Sequence, residues 1–212
     1  MPRVAEDRPP AEPTSREQKE RYARILRAAA RHGAAKGLER VQMHDIAKDA
    51  GVAIATLYRY FPSKTHLFTA LMRSQVEGLA AMAVERVPGE SPEEGIARVL
   101  VRAGRELLGR PLLAHAMMQS NNATVAQTPS AGVTEVFIDL MLDAGGIAEP
   151  TAHDLRLLGL LEQAWYGMII SALNRGTDPL ELERDTALVV ELLLRGRDQD
   201  GAAGGRTTDD AA

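Results

Sequence analysis

The sequence predicts an all-α fold: a three-helix unit built around a helix-turn-helix, followed by a six-helix body. Two general observations point there. The chain is rich in alanine, leucine and methionine with only 4% aromatic residues, and no segment shows the apolar–polar alternation of a half-buried strand. A third observation is local. Gln42 to Lys64, QMHDIAKDAGVAIATLYRYFPSK, reads as two short helices around a tight corner. Ile46 and Ala47 give the first an apolar face, and Leu57 and Phe61, four apart, give the second its own. Gly51 suits a corner that demands positive φ, and the surrounding alanines let the two helices approach closely.

Caps and breakers place the elements in order. Met1 to Ser15 holds four prolines and little apolar content, so it reads as a disordered arm. Helix 1 spans about Arg16 to Lys36 and stops at Gly37. Helices 2 and 3 are the pair above, and Pro62 ends the second while Ser63 caps the next. Helix 4 reaches about Arg86, before Pro88-Gly89. Ser91-Pro92-Glu93-Glu94 combines a cap, a first-turn proline and a capping-box glutamate, and opens helix 5, which runs to about Leu108. Pro111 begins helix 6, expected to end near Asn121-Asn122. Pro129-Ser130 precedes helix 7, which stops at Gly145-Gly146. Thr151 opens helix 8, which reaches Asn174-Arg175-Gly176. Asp178-Pro179 starts helix 9, which ends near Arg195-Gly196. Arg197 to Ala212 is a Gly-, Asp- and Ala-rich tail. The expected organisation is an arm over 1–15, a helix-turn-helix domain over 16–64, a body over 65–196 and a disordered tail over 197–212.

Charge sharpens the division. The whole chain has a formal net charge of -4, which by itself argues against a nucleic-acid partner. Arg16 to Lys64, however, carries 11 Lys+Arg against 5 Asp+Glu, while the rest carries 14 against 24. A basic leading module followed by an acidic body is an electrostatic footprint for DNA. With no cysteine there are no disulfides, no thiol chemistry and no cysteine-held zinc, which fits a reducing cytoplasm. The polar, proline-rich start is not a signal peptide. None of the five histidines pairs with another at metal-ligand spacing on one helix, and no glycine-rich phosphate loop follows a strand. No cofactor, metal or enzymatic site is expected.

With Leu57 and Phe61 turned inward, Tyr58, Arg59 and Tyr60 are expected to face largely outward. Ile54, Ala55 and Thr56 open helix 3, the end that usually points into the major groove. Ile54 and Ala55 suit thymine methyl groups, Thr56 a base edge or phosphate, and the planar Arg59 fork suits guanine O6 and N7. Tyr58, Tyr60 and Lys64 suit phosphates, which set register rather than sequence. Gln42 and His44 open helix 2, beside free backbone N–H groups that also favour phosphate. Arg24, Arg27 and Arg31 form one stripe on helix 1, facing either phosphates or the acidic side chains of helix 4.

These motifs carry a family resemblance. ATLYRYFPSKTHLF resembles the recognition helix and following helix of the TetR family of bacterial transcriptional regulators. IAKDAGV resembles the preceding helix and turn, and ARILRAAARHGAAKGLERVQ the first helix with its Gly-hydrophobic-Glu exit. VQM and TLYRYFPSK look most like actinobacterial members that control steroid and lipid catabolism. The resemblance implies three helices then six, phosphate contacts for Tyr58, Tyr60 and Lys64, and an effector pocket in the body. Three departures stand out: no Ser or Thr caps helix 2 at Gln42, no Ser caps helix 3 at Ala53, and Gly33 stands where a bulky phenylalanine is common. Phe68 or Leu38 is expected to fill that last volume.

Helix 8 is apolar almost all round, from Leu155 to Leu173, and Arg156, Glu162, Gln163 and Asn174 argue against a membrane span. Helix 9 repeats the pattern. Together they predict a homodimer through Leu158, Leu161, Ile169, Leu188 and Leu192, the interface the resemblance also implies. Candidate pocket residues are the adaptable Met82, Met117, Met118, Met141 and Met168, the flat Phe137, Trp165 and Tyr166, and the polar Asn121. The expected function is a cytoplasmic, ligand-responsive transcriptional repressor. As a dimer it would bind a palindromic double-stranded operator and be released by a mostly apolar effector, steroid or fatty acyl, in free form or as a CoA thioester. The alternatives are a helical dimer that binds DNA without sequence preference, and a helical lipid-binding protein or enzyme.

Overall fold

The computed structural model describes residues 11–83, 87–128 and 132–195, with the side chains of residues 82 and 83 left out. Among the described residues every regular element is helical: α1 (Arg16–Arg40), α2 (Met43–Asp49), α3 (Ile54–Tyr60), α4 (Lys64–Ala83), α5 (Pro92–Leu108), α6 (Pro111–Gln127), α7 (Thr134–Gly145), α8 (Ala152–Arg175) and α9 (Pro179–Leu194). No described helix is long and apolar enough to cross a membrane.

The local signals that placed these elements act as read. Ser15 and Gln18 close a reciprocal capping box at the start of α1. Gly37, at φ 68°, breaks that helix, and Leu38 to Arg40 form a separate last turn. Gly51 takes φ 65° at the α2–α3 corner. Ser91 and Glu94 cap α5 reciprocally, Thr151 and Asp154 do so for α8, and Asp178 caps α9 ahead of Pro179. The caps missing from sequence are missing in structure: neither Gln42 nor Ala53 makes a side-chain cap bond. Residues 84–86 and 129–131 lie outside the described residues, and with them the expected end of helix 4 at Arg86 and the Pro129-Ser130 break. So do residues 1–10 and 196–212, which cover most of the expected arm and the tail.

Two expectations are corrected. The arm was expected to be disordered to Ser15, yet residues 11–15 are seated, with the Ala11 N–H donating to the Arg59 carbonyl at 3.1 Å. Helix 6 does not stop at Asn121-Asn122 but runs to Gln127. Asn121 is 7% exposed, and its Oδ1 accepts from the Val133 N–H at 3.2 Å. The amide ties down the chain ahead of α7 instead of ending the helix, so tertiary context overrides its breaker tendency.

The chain forms two compact units. The first comprises Met1–Gly78 and Glu106–Val136, with α1 packed along α6. Its core takes Ile25, Ile46, Leu57, Phe61, Leu67, Phe68, Leu113 and Met117. Gly33 lets α1 approach: a Cβ there would lie 2.6 Å from the Phe68 ring and 2.8 Å from Leu113. Phe68 therefore fills the volume as expected, together with Leu113 rather than Leu38. A Thr69–Thr124 hydroxyl pair at 2.9 Å is buried between α4 and α6.

The second unit comprises Leu79–Arg105 and Phe137–Ala212. In it α8 packs on α9, and Phe137 of α7 stacks on Trp165 of α8 with centroids 5.2 Å apart. Arg105 of α5 holds Glu183 of α9 through two bonds of 2.5 and 2.6 Å, which pulls the Glu183 carboxyl below its ordinary range. Gly95 of α5 is the tightest point, because a Cβ there would run into the Ala144 carbonyl oxygen of α7.

A backbone oxygen cannot rotate away as a side chain can. Gly95→Ala should therefore lower stability by about 1–3 kcal/mol. Gly78→Ala, on an open face of α4 with nothing within 4 Å, should raise it by about 0.4–1 kcal/mol. Thermal unfolding of the two variants beside the parent measures both, and equal melting temperatures would contradict the packing described here.

Candidate nucleic-acid interface

Seven residues are too few for a stable isolated helix, so α3 depends on what its inner side buries. Leu57 is 0% exposed, Tyr60 2% and Phe61 2%. This corrects the expectation that Tyr60 faces outward. Positions 57, 60 and 61 stand at i, i+3 and i+4, which is one stripe of a helix; that spacing alone places Tyr60 with the two inward residues. Its ring meets Tyr22 of α1 edge-on at 5.7 Å, and Tyr22 also touches Phe61 at 4.8 Å. Burial is the main force raising the Tyr22 phenol above its usual value, with Glu77 adding to it. Tyr60 Oη is buried without a hydrogen-bond partner among the described residues, so it cannot clamp a phosphate from this position.

The outer side of α3 is open. Ile54 is 36% and Tyr58 47% exposed, Ala55 and Arg59 are exposed, and Thr56 is half-buried. The Arg59 guanidinium lies 5.2 Å from the Tyr60 ring centroid, a cation–π contact that restrains its stem while its donors stay available. On α2 and its cap, His44 and Gln42 are exposed.

Lys64 is the second correction. Its Nζ donates to the carbonyls of Leu38, Glu39 and Val41 at 3.1, 3.2 and 3.2 Å. All three N–H donors of the ammonium are engaged, so Lys64 closes the exit of α1 rather than waiting for a phosphate.

Sequence reasoning missed how α2 is braced. Arg31 donates to Asp49 at 2.9 Å, with His32 Nε2 3.4 Å from the same carboxylate. Lys36 donates to Asp45 at 3.0 Å and, through that bond, holds the Asp45 carboxyl below its ordinary range. Arg24 donates to the Ala50 carbonyl at the corner, 3.3 Å away. Two of the three stripe arginines thus serve the α1–α2 junction, not phosphates or the acids of helix 4. No local pattern signals these pairs, because the partners are 9 to 26 residues apart.

The chain matches two family models, "Bacterial regulatory proteins, tetR family" over residues 25–71 and "Tetracyclin repressor-like, C-terminal domain" over residues 89–193. It is 32% identical over 187 residues to the HTH-type transcriptional repressor KstR of Rhodococcus jostii, covering 85% of this chain and 86% of that one. It is 31% identical over 191 residues to KstR of Mycobacterium tuberculosis, covering 89% and 86%. The crystal structure of a TetR transcriptional regulator from Rhodococcus sp. RHA1 superposes with a TM-score of 0.77 at 49% identity, covering 84% of this chain and 97% of that one.

This chain belongs to the TetR family. It is a DNA-binding transcriptional regulator and not an enzyme, and its nine described helices follow the family's division into a helix-turn-helix and a larger C-terminal domain.

The remaining site residues of this TetR regulator separate by exposure. Leu158, Leu161 and Ile169 are 1%, 0% and 0% exposed. They belong to the core of their own chain and cannot form a dimer surface, which corrects that expectation. Leu188 and Leu192 are 52% and 61% exposed, and so are Leu155 and Leu160, at 43% and 45%. The apolar circumference of α8 is therefore two surfaces, an inner one already covered and an outer one open. Of the pocket candidates, Met117, Met118 and Asn121 are buried in the first compact unit, and Phe137, Met141 and Trp165 in the second. Tyr166 and Met168 are half-buried in the second. The side chain of Met82 lies outside the described residues.

Removing the unpaired Tyr60 hydroxyl should cost nothing. Tyr60→Phe should leave DNA affinity unchanged and stability equal or higher by about 1 kcal/mol, as for any buried polar group without a partner. A chemical unfolding curve and a DNA titration check both, and a loss of affinity would return Tyr60 to the interface.

Proposed function

We propose that this TetR-family protein is a dimeric, ligand-responsive repressor that reads a palindromic operator with α3 and is released by a mostly apolar effector. The observation that carries the reading is the split of α3 into an anchored inner stripe and an open Ile54, Ala55, Tyr58 and Arg59 surface. Arg59 reads a base edge, Tyr58 holds a phosphate, and Ile54 and Ala55 meet thymine methyls. The repressor sign is supported by the KstR relatives, which are transcriptional repressors. In functional terms residues 16–64 are the reading head and residues 65–196 the effector and partner body, acting in the cytoplasm.

The partner is a second copy. Leu188 and Leu192, at i and i+4 of α9, expose a leucine ridge. Leu160 of α8 is also exposed, and beyond Gly167 the space is open within 4 Å. A two-fold pair places two α3 helices on half-sites roughly 34–36 Å apart, or a multiple of that. α4 runs from the first compact unit into the second at Gly78, so an effector held by the body acts through it. Release requires that the effector bind the non-DNA form more tightly. The effector is a steroid or fatty-acyl compound, in keeping with the resemblance of VQM and TLYRYFPSK to regulators of steroid and lipid catabolism.

Two measurements test this. An operator selected from random DNA should lose about 1–3 kcal/mol of affinity with Arg59→Ala, with base preference relaxed at one position, while Tyr58→Phe should weaken all sequences alike. Unchanged binding by both variants would end the assignment, and binding indifferent to sequence in the parent protein would favour a non-specific DNA-binding dimer. Light scattering should show a dimer that Leu188→Glu with Leu192→Glu converts to monomers, with operator affinity falling in step. Persistent dimers would move the interface elsewhere.

A further inference from the structure

α8 carries two polar groups that no other described residue engages by a hydrogen bond. Trp165 is 4% exposed, and its Nε1 is buried with no acceptor among the described residues. Leaving such a donor unmatched is destabilising, and an unmatched buried group in a native fold calls for an explanation. Glu162 stands three residues earlier, so the two side chains leave the same flank of the helix. It is half-buried and makes no hydrogen bond or ion pair among the described residues. Burial alone, with no compensating cation, raises its carboxyl above the ordinary range. The surroundings are apolar: Phe137 lies stacked on the Trp165 indole, and Met141 is fully buried on the same helix as Phe137.

We infer that Glu162 and Trp165 are the polar anchor of the effector site and select a neutral apolar molecule carrying a hydroxyl group. This rests on the effector reading above and narrows it. The indole N–H can only donate, and an ionised carboxylate can only accept. A hydroxyl satisfies both at once, accepting from Trp165 and donating to Glu162. A ketone answers only the indole. A carboxylate or phosphate would also accept from the indole but would set a second negative charge beside Glu162, which no cation offsets. A free hydroxyl is therefore favoured over an anionic acyl head at this point of the site.

Trp165 is the single tryptophan of the chain, so its emission reports occupancy directly. The probes are two matched pairs, 1-dodecanol with laurate and pregnenolone with progesterone, titrated against the full-length protein by tryptophan fluorescence and by calorimetry. In at least one pair the alcohol should bind about tenfold more tightly, the equivalent of one charge-assisted hydrogen bond. Glu162→Leu should abolish that preference. Trp165→Phe, followed by calorimetry, should weaken the alcohol and the ketone alike. Circular dichroism confirms that both variants fold, since each removes a buried unmatched group and keeps an apolar one. Equal affinity within both pairs, or a preference that survives Glu162→Leu, overturns the anchor. If the probes still release operator DNA in that case, the effector reading stands without it. If none of the four binds, the anchor is overturned, while release of operator DNA by a fatty-acyl-CoA would show that the effector reading stands without it.

Discussion

The inner stripe of α3 is the constraint on which the rest of the reading head depends. A helix of seven residues without a side-chain cap has little stability of its own. Leu57, Tyr60 and Phe61 are buried beneath it, and the Tyr22 ring of α1 is seated against Tyr60 and Phe61. Because that side is fully committed, Tyr58 and Arg59 have one direction left to point. The placement of the outer side of α3 is thus a by-product of aromatic packing behind it, and loosening the Tyr22–Tyr60–Phe61 cluster would blur the angle of α3 without touching an exposed residue.

Charge does a second job here, distinct from attracting DNA. Arg31 with Asp49, Lys36 with Asp45 and Arg24 with the Ala50 carbonyl stitch α2 and the corner to α1. Exposed pairs of this kind contribute little to stability. Their value lies in orientation, since they fix the position of a helix too short to hold itself. Lys64 does the same for the exit of α1, where three carbonyls would otherwise lack donors. Part of the basic excess of Arg16 to Lys64 is therefore structural, and the surface offered to phosphate is smaller than the count of cations suggests.

The body shows a similar division of labour within one helix. The inner surface of α8 carries Leu158, Leu161, Trp165 and Ile169 into the core, while Leu155 and Leu160 stay exposed, as do Leu188 and Leu192 of α9. A helix that is apolar all round must be covered on both sides, and one chain covers only one of them. The exposed leucines suit a second copy, and the unmatched polar atoms of the same helix suit a small molecule.

Much of this protein was legible in its residues. The capping signals at Ser91, Thr151 and Asp178, the break at Gly37 and the corner at Gly51 act within a few positions of chain, so local chemistry settles them. The helix-turn-helix string and the basic leading segment were readable for the same reason. What required tertiary structure were choices among partners distant in sequence. Tyr60 and Lys64 look available to DNA until Tyr22 and the carbonyls of Leu38, Glu39 and Val41 are seen to hold them. Asn121 looks like a helix end until Val133 is seen to bond it. Which leucines of α8 and α9 face inward could not be read from their number, because on a helix apolar all round periodicity no longer marks a side. Local sequence determines where helices begin, end and turn; only the packed chain decides which of their surfaces remain open to a partner.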